Sequence, residues 1–308
     1  SLDPLSPSSW GQTRRRIAEF GPQQVVINWW TTFWGPAFAS LAGWLRKDGL
    51  TVTFLIHNVM PHEAKPWDRW ITRWALRSGS FYIVQTEGEK ERLRDLLPQA
   101  RVVLTPHPIY DMFTAQRMDP AAARARLGLP AEGYVVLFFG IVRRYKGLGV
   151  LLQAMARPEL STMQPVLLIA GEFWEDKSRY LELAHALGLS TQVRIEDRYI
   201  PNEEVPLFFS AANLLVAPYT GGTQSGSVKM AMGFGLPCVI SQQLVDESMN
   251  ANLGKTVFAA EAGSPESLAK ALLQALQLLP ARIAFHSGDG GWETLVKILE
   301  RHTESGTV

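Results

Sequence analysis

The sequence predicts an α/β protein built on two doubly wound parallel sheets, and three observations carry that reading. Short apolar runs rich in Val, Ile, Leu and Phe recur along the 308 residues, and strands covered on both faces read this way. Segments of helical periodicity separate them, the alternation that builds parallel sheets with crossover helices. The rhythm breaks once, over residues 111–133, where the chain turns polar and rich in Ala and Arg. That break divides the chain into two halves, read as two domains facing a cleft.

The elements follow in order. QQVVIN, Gln23–Asn28, is a buried strand, and PAFASLAGWLRKDG is a helix that stops at Gly49. Thr51–His57 is a strand. DRWITRWALRSG is a helix with Trp70, Ile71, Trp74, Ala75 and Leu76 at core spacing. Phe81–Gln85 is a strand, and Thr86 with Glu89 has the spacing of a capping box for the next helix. Arg101–Pro108 is a fourth strand. In the second half, strands are predicted at Tyr134–Gly140, Pro165–Gly171, Gln192–Asp197, NLLVAP and LPCVIS, with helices between them. Two helices, PESLAKALLQALQLL and WETLVKILERH, close the chain. The expected divisions are 1–110, a linker at 111–133, a second domain at 134–280 and a C-terminal helix within 281–308.

Composition limits the function classes. A hydrophobic fraction of 46% with 19% charged residues is that of a globular protein. A net charge of +1 gives no general pull toward nucleic acid or acidic membranes. The single cysteine, Cys238, excludes an internal disulfide framework and a thiolate metal cluster; its place in a strand reads as a buried thiol. The N-terminus lacks the apolar core of a signal peptide. The longest apolar stretch, Trp29 to Leu45, carries Thr, Gly and Pro and falls short of the roughly 20 residues that cross a bilayer. A cytoplasmic location is expected, with weak peripheral membrane contact a lesser idea.

Ligands of open α/β sheets sit beyond the carboxyl ends of the strands, and four strand ends are rich in chemistry. Gly140 is followed by Arg143, Arg144 and Lys146, with Gly147 opening a helix. Cations beside glycines suit a diphosphate, and a solvated charged turn is the competing reading. TGGTQSGS, Thr220 to Ser227, precedes a helix, and its Ser225, Gly226 and Ser227 can offer backbone N–H groups to an anion. An ordinary helix cap is the alternative there. HNVMPHE places His57 at a strand end, with His62 and Glu63 following. The spacing is not HExxH, which gives zinc hydrolysis little support; His57 could orient or contact a substrate hydroxyl, and a hydrogen-bonded turn histidine or a metal-ligand pair are the competing readings. Glu172 and Trp174 follow Gly171; Glu172 is either a sugar contact or an acid at a helix N-terminus. The aromatics of NWWTTFW read first as core.

Taken together, these residues resemble the GT-B fold glycosyltransferases of glycosyltransferase family 4, most strongly from Tyr134 to Ser241. The motifs that carry the resemblance are FGIVRRYKG, LLIAG, IPNEEVPLFFSAAN, NLLVAP and GLPCVIS in that order, with HNVMPHE in the first half. The resemblance implies two Rossmann-like domains and transfer of a sugar from a nucleotide-diphosphate sugar to a glycan, lipid-linked or small-molecule acceptor, as in polysaccharide biosynthesis. It implies a retaining, metal-independent reaction with no cofactor beyond the donor. Arg143 and Lys146 would hold the diphosphate with Thr223, Ser225, Gly226 and Ser227. Arg198, Tyr199 and Ile200 would border the base. His57, Gln224 and Ser225 would serve the reacting sugar, with Glu172 and Gly222 as further sugar contacts.

The resemblance departs at two places. The family often carries two glutamates in the loop and helix; Gly222 and Met230 occupy those positions here, with Lys229 beside the second. Either TQSG is a variant in which Gln224 and Ser225 meet the sugar, or the chain is a non-catalytic nucleotide-sugar-binding or scaffold protein. A sugar-nucleotide epimerase is a weaker alternative, with Glu63 and Glu172 as its only candidate carboxylates. The first βα units of the acceptor-side domain also have no counterpart before QVVIN, so an incomplete N-terminal domain is expected.

Overall fold

The structure, a computed structural model, describes residues 2–61, 64–105, 107–278 and 291–304. The chain forms two compact units, Ser1–Pro108 with Gly288–Val308, and Ile109–Ser287.

The first unit opens with α1 (Pro7–Phe20), β1 (Gln24–Trp29), α2 (Gly35–Lys47), β2 (Thr51–Ile56), α3 (Asp68–Leu76), β3 (Phe81–Val84), α4 (Glu87–Leu96) and β4 (Val102–Leu104). The second contains α5 (Pro120–Arg126), β5 (Val135–Phe139), α6 (Leu148–Met155), β6 (Val166–Ala170), α7 (Ser178–Ala186), β7 (Val193–Glu196), α8 (Val205–Ala211), β8 (Leu214–Ala217), α9 (Gly226–Gly233), β9 (Cys238–Ser241), β10 (Val257–Ala260) and α10 (Pro265–Leu278). The closing helix α11 (Trp292–Glu304) falls in the range of the first unit.

The first sheet runs β1-β2-β3-β4, all parallel. Crossovers of one hand that always step the same way put their helices on one face. Leu41 and Leu45 of α2, Ala75 and Leu76 of α3 and Leu93 and Leu96 of α4 accordingly share one core with Trp29, Phe54 and Tyr82. Phe54 and Tyr82 are register partners, and their rings stack at 6.2 Å, the cross-strand pairing that stabilises sheets. On the other face Phe81 and Ile83 meet Leu295, Ile298 and Leu299 of α11.

Three local expectations change here. In α3 the core takes Ala75, Leu76, Thr72 and Asp68, while Trp70 and Trp74 face outward. The rotation is fixed by Asp68, whose carboxylate accepts from Thr32 Oγ1 at 2.5 Å and from the Lys65 amide at 2.7 Å. The capping box of α4 is half-made. Thr86 accepts from the Glu89 amide at 3.2 Å, but the buried Glu89 carboxylate turns to the Val59 amide and to Arg92. NWWTTFW divides, with Trp29 fully buried and Trp30 and Phe33 exposed.

The second sheet has the order β10-β9-β8-β5-β6-β7, all parallel. The chain steps outward from β5 to β7, then returns to the other side of β5 and steps out to β10, so helices cover both faces. Val135, Leu137 and Phe139 of β5 point into a core shared with α8 and α9, and Val136 and Phe138 into one shared with α6 and α10. A strand that feeds two cores must be apolar at every position, which is why YVVLFF shows no alternation. All seven residues of α8 are buried.

The segment expected as a linker is built into the second unit. Residues 111–116 form a 3-10 turn, and α5 packs beside α8. Its buried Arg124 donates to the carbonyls of Ala211 (3.0 Å) and Ala131 (2.8 Å) and to Asn213 Oδ1 (2.7 Å). Asn213 Oδ1 also accepts from the amide of Val135 at the start of β5. Replacing Arg124 by Met strips these acceptors of their donor. The expected cost is about 3 kcal/mol of stability, read as a lowered urea midpoint with an unchanged slope.

Candidate functional site

In a doubly wound sheet the ligand crevice lies where the strand order reverses. Here that point falls between β5 and β8, and the loops that follow these two strands are tied together. The Thr220 amide donates to the Tyr145 carbonyl at 2.6 Å, and Thr220 Oγ1 reaches the same oxygen at 3.2 Å. Gly147 has φ +74°, and a Cβ there would stand 1.9 Å from the Pro218 carbonyl oxygen. The loop after β6 closes in as well: Gly171 has φ +144°, and a Cβ there would meet the Gly140 carbonyl oxygen at 2.3 Å. Glycine is required at both positions by space and by conformation.

Within this frame Arg143 and Lys146 stand on rings. The Arg143 guanidinium lies 4.6 Å from the centroid of Trp174, and Lys146 Nζ lies 5.6 Å from that of Tyr219. Lys146 Nζ also lies above Gly140, 3.2 Å from where a Cβ would project. Among the described residues neither cation has a carboxylate partner. Glu172 accepts from Trp174 Nε1 at 3.4 Å and so steadies the ring under Arg143. It is not an acid of a helix N-terminus, because α7 begins only at Ser178.

The loop from Tyr219 to Ser227 delivers the start of α9. The cap reading holds for Ser225, whose hydroxyl accepts from the Val228 amide and joins a buried chain with Tyr219 Oη (3.0 Å) and Ser227 Oγ (2.9 Å). These hydroxyls are committed to one another. The first-turn amides of Gly226 and Ser227 have no intrahelical acceptor by geometry, and they carry the positive end of the helix dipole. Thr223 Oγ1 and Gln224 Nε2 are buried with no hydrogen-bond partner among the described residues. Gly222, at φ +88°, turns the chain toward them.

The three residues after β7 differ in what they can offer. Arg198 is engaged by Glu204 (2.5 Å) and Glu196 (3.4 Å). Tyr199 is exposed, while the Ile200 side chain is part of the core, leaving only its backbone to border a ligand. Lys229 is buried and pairs with Asp246 at 2.5 Å and with Ser248 at 3.0 Å. Burial pushes the Cys238 thiol up to about 12, so it stays protonated and unreactive.

In the first unit the strand ends gather a polar cluster that the sequence reading saw only in part. His57 Nδ1 lies 3.1 Å from Gln85 Oε1 and Nε2 lies 3.3 Å from Asn28 Oδ1, with the His107 ring 6.2 Å away. Gln85 and His107 follow β3 and β4 as His57 follows β2, and Asn28 is the next-to-last residue of β1; position at a strand end was the signal that could have found them. Burial holds the His57 imidazole below its ordinary pKa, against a smaller upward pull from Gln85. His62 and Glu63 lie outside the described residues. Among the described residues no group of three or more His, Cys, Asp or Glu is placed to hold a metal, and no helix is long and apolar enough to cross a membrane.

Two outcomes follow from this geometry. Gly147→Ala is expected to cost more than 2 kcal/mol through backbone strain and the clash with Pro218, measured by thermal unfolding of the purified variant. His57 is neutral in the folded chain and binds its proton more readily when unfolded. Its contribution to stability is therefore complete above pH 6.5 and lost as pH falls below that value. His57→Gln should flatten the fall in melting temperature over that acid range, read by scanning calorimetry across a pH series.

Known proteins share this architecture. Residues 133–278 match the family described as Glycosyl transferases group 1. The D-inositol 3-phosphate glycosyltransferase 1 of Catenulispora acidiphila is 34% identical over 145 residues, which is 44% of this chain and 34% of that protein. The D-inositol 3-phosphate glycosyltransferase of Streptomyces scabiei is 30% identical over 221 residues, 67% of this chain and 49% of that protein. The matched part thus spans at most about half the length of these two relatives. Among solved structures, sucrose-phosphate synthase from Thermosynechococcus elongatus superposes with a TM-score of 0.74 at 20% identity, covering 98% of this chain and 78% of that one. Anabaena Alr3699/HepE, solved in complex with UDP-glucose, gives 0.76 at 17% identity, covering 98% and 83%. With its reversed strand order and its glycine-locked loops, the second unit thus matches the glycosyl transferases group 1 family over residues 133–278, on a chain with the two-sheet fold of the GT-B glycosyltransferases.

Proposed function

We propose that the chain is a glycosyltransferase that takes a sugar from a nucleoside-diphosphate sugar and passes it to a glycan, lipid-linked or small-molecule acceptor, reaching a lipid-linked one through weak membrane contact. The observation that carries this reading is the pair Arg143 and Lys146. Both are held on aromatic rings without a carboxylate partner among the described residues, in the same crevice as the start of α9. Buried polar atoms without partners call for an explanation, and Thr223 Oγ1 and Gln224 Nε2 find one in the hydroxyls of a bound sugar. The printed names of the relatives and the UDP-glucose of HepE support the donor class.

In the proposed reaction the bond from the anomeric carbon to the diphosphate breaks, and the electron pair leaves with the phosphate. The acceptor oxygen bonds to that carbon, and its proton passes to the departing diphosphate. Arg143, Lys146 and the amides of Gly226 and Ser227 stabilise the charge that develops on the leaving group, so the reading assigns no step to a metal. Retention of configuration rests on the family resemblance alone. His57, being neutral, serves as a hydrogen-bonding group toward sugar or acceptor. Tyr199 and the Ile200 backbone border the base, with Arg198 held behind them by Glu204.

A second reading, a nucleotide-sugar binder without transfer, is favoured by one observation. Gly222 and Met230 stand where the family often has acids, and the neighbouring Lys229 is consumed by Asp246. Calorimetric titration with UDP, GDP and ADP tests the site, and transfer or hydrolysis of the matching sugar donor separates the two readings. One nucleotide is expected to bind, and Lys146→Ala to weaken it about 30-fold, the equivalent of about 2 kcal/mol for a charge-assisted contact. A folded chain that binds no nucleotide overturns both readings.

A further inference from the structure

We propose that the exposed face of α3 is a docking surface for an anionic lipid membrane. Trp67, Trp70 and Trp74 are 56%, 69% and 43% exposed, and their i, i+3, i+7 spacing puts them on one side of the helix. Arg69, Arg73 and Arg77, spaced by four, form a second exposed row beside them. Lys65 adds a cation 5.4 Å from the Trp67 ring. From Ala64 to Ser80 the one acid is Asp68, and it is buried and spent on Thr32 and the Lys65 amide. Among the described residues none of the three arginines makes an ion pair.

The face is also rigid. Ala75 and Leu76 on its far side lie in the core, and the Thr32–Asp68 bond fixes the rotation of the helix. Trp70 and Trp74 stack at 6.2 Å with their planes 8° apart. Trp30 and Phe33, just before α2, are likewise exposed, and Thr32 between them is the residue bonded to Asp68.

The chemistry selects the occupant. Indoles settle at the boundary between headgroups and acyl chains, and arginines meet headgroup phosphates. A neutral glycan would use the rings and leave four cations unmatched; a free phosphate would use the cations and leave three indoles in water. An anionic bilayer surface answers both rows at once. The inference gives a place to the membrane contact proposed above and rests only on that part of the reading, since it requires neither nucleotide binding nor sugar transfer.

The test is cosedimentation of the full chain with phosphatidylcholine vesicles and with mixed phosphatidylcholine–phosphatidylglycerol vesicles, alongside UDP titration of every variant. The wild type should bind the anionic vesicles, less tightly as salt rises. The combination Arg69→Gln, Arg73→Gln and Arg77→Gln should weaken that binding on the order of a hundredfold, at about 1 kcal/mol for each cation. Trp70→Ser with Trp74→Ser should weaken it more than tenfold through lost insertion of aromatic surface. Both variants should retain the melting temperature of the wild type and, where the wild type binds UDP, its affinity for UDP, which separates loss of the surface from loss of the fold or of the donor site. Failure of the wild type to bind anionic vesicles overturns the proposal, as does unchanged binding by both variants. So does a preference for inorganic phosphate or a soluble oligosaccharide over vesicles, seen as no effect of lipid beside quenching of the exposed tryptophans by that ligand.

Discussion

The Tyr145 carbonyl, accepting twice from Thr220, joins the loop that leaves β5 to the loop that leaves β8. The candidate donor site depends on that closure. The two strands are hydrogen-bonded neighbours but lie 78 residues apart in sequence at Val136 and Leu214, and the chain diverges from them in opposite directions. A crevice between their ends is a consequence of topology; its shape is set by how closely the two loops approach. Gly147 against Pro218 sets that approach, and Gly171 against Gly140 sets the approach of the loop after β6 to the loop after β5, because a side chain at either glycine would push the loops apart.

The two units solve burial differently. The second sheet has helices on both faces, so its central strands serve two cores, and every side chain of β5, β6 and β8 is apolar. The first sheet steps one way only. Its crossover helices crowd one face, leaving α11 to meet Phe81 and Ile83 on the other, while Val26 of β1 stays exposed there. An edge strand with one uncovered face has little apolar burial of its own to hold it. Its place is set by parallel pairing along β2 from Gln24 to Trp29 and by Trp29 in the core below.

Much of this was legible in the sequence because burial on two faces writes itself as unbroken apolar runs, and the strands of both halves stand where those runs are. What escaped had no such signature. β10 is the four-residue VFAA, too short and too rich in Ala to separate from a loop. α1 has no fully buried residue; Ile17 packs in part against the core, and Arg14 pairs with Asp48. In α3 the apolar period was real, but tryptophan can satisfy a helical period from the solvent side, and the polar Thr72 and Asp68 took the core positions instead. Glu89 was read as half of a capping box, yet a buried carboxylate goes to whichever donors the fold brings, here the Val59 amide and Arg92. Residue types at the site were legible; which of their atoms remain available was not. Ser225 and Ser227 show this most plainly, since only the packing of Tyr219 reveals that their hydroxyls are already engaged.

Availability also separates the cations of the second unit. Arg124 is wholly engaged by backbone carbonyls and Asn213, Lys229 by Asp246, Lys177 by Asp197 and Arg198 by Glu204. A carboxylate that fixes a cation in place also cancels its field, so such a group can do little for a diphosphate. Arg143 and Lys146 are fixed by the faces of Trp174 and Tyr219, and an aromatic face orients a cation through its quadrupole without removing the charge. The rings therefore position these two groups and leave their field to act on an anion. Tyr219 extends the arrangement one step further. Its face lies under Lys146 while its hydroxyl meets Ser225, the cap of α9. One side chain thereby ties the position of the ammonium group to the position of the helix N-terminus, the two sources of positive potential that a departing diphosphate would have to find together.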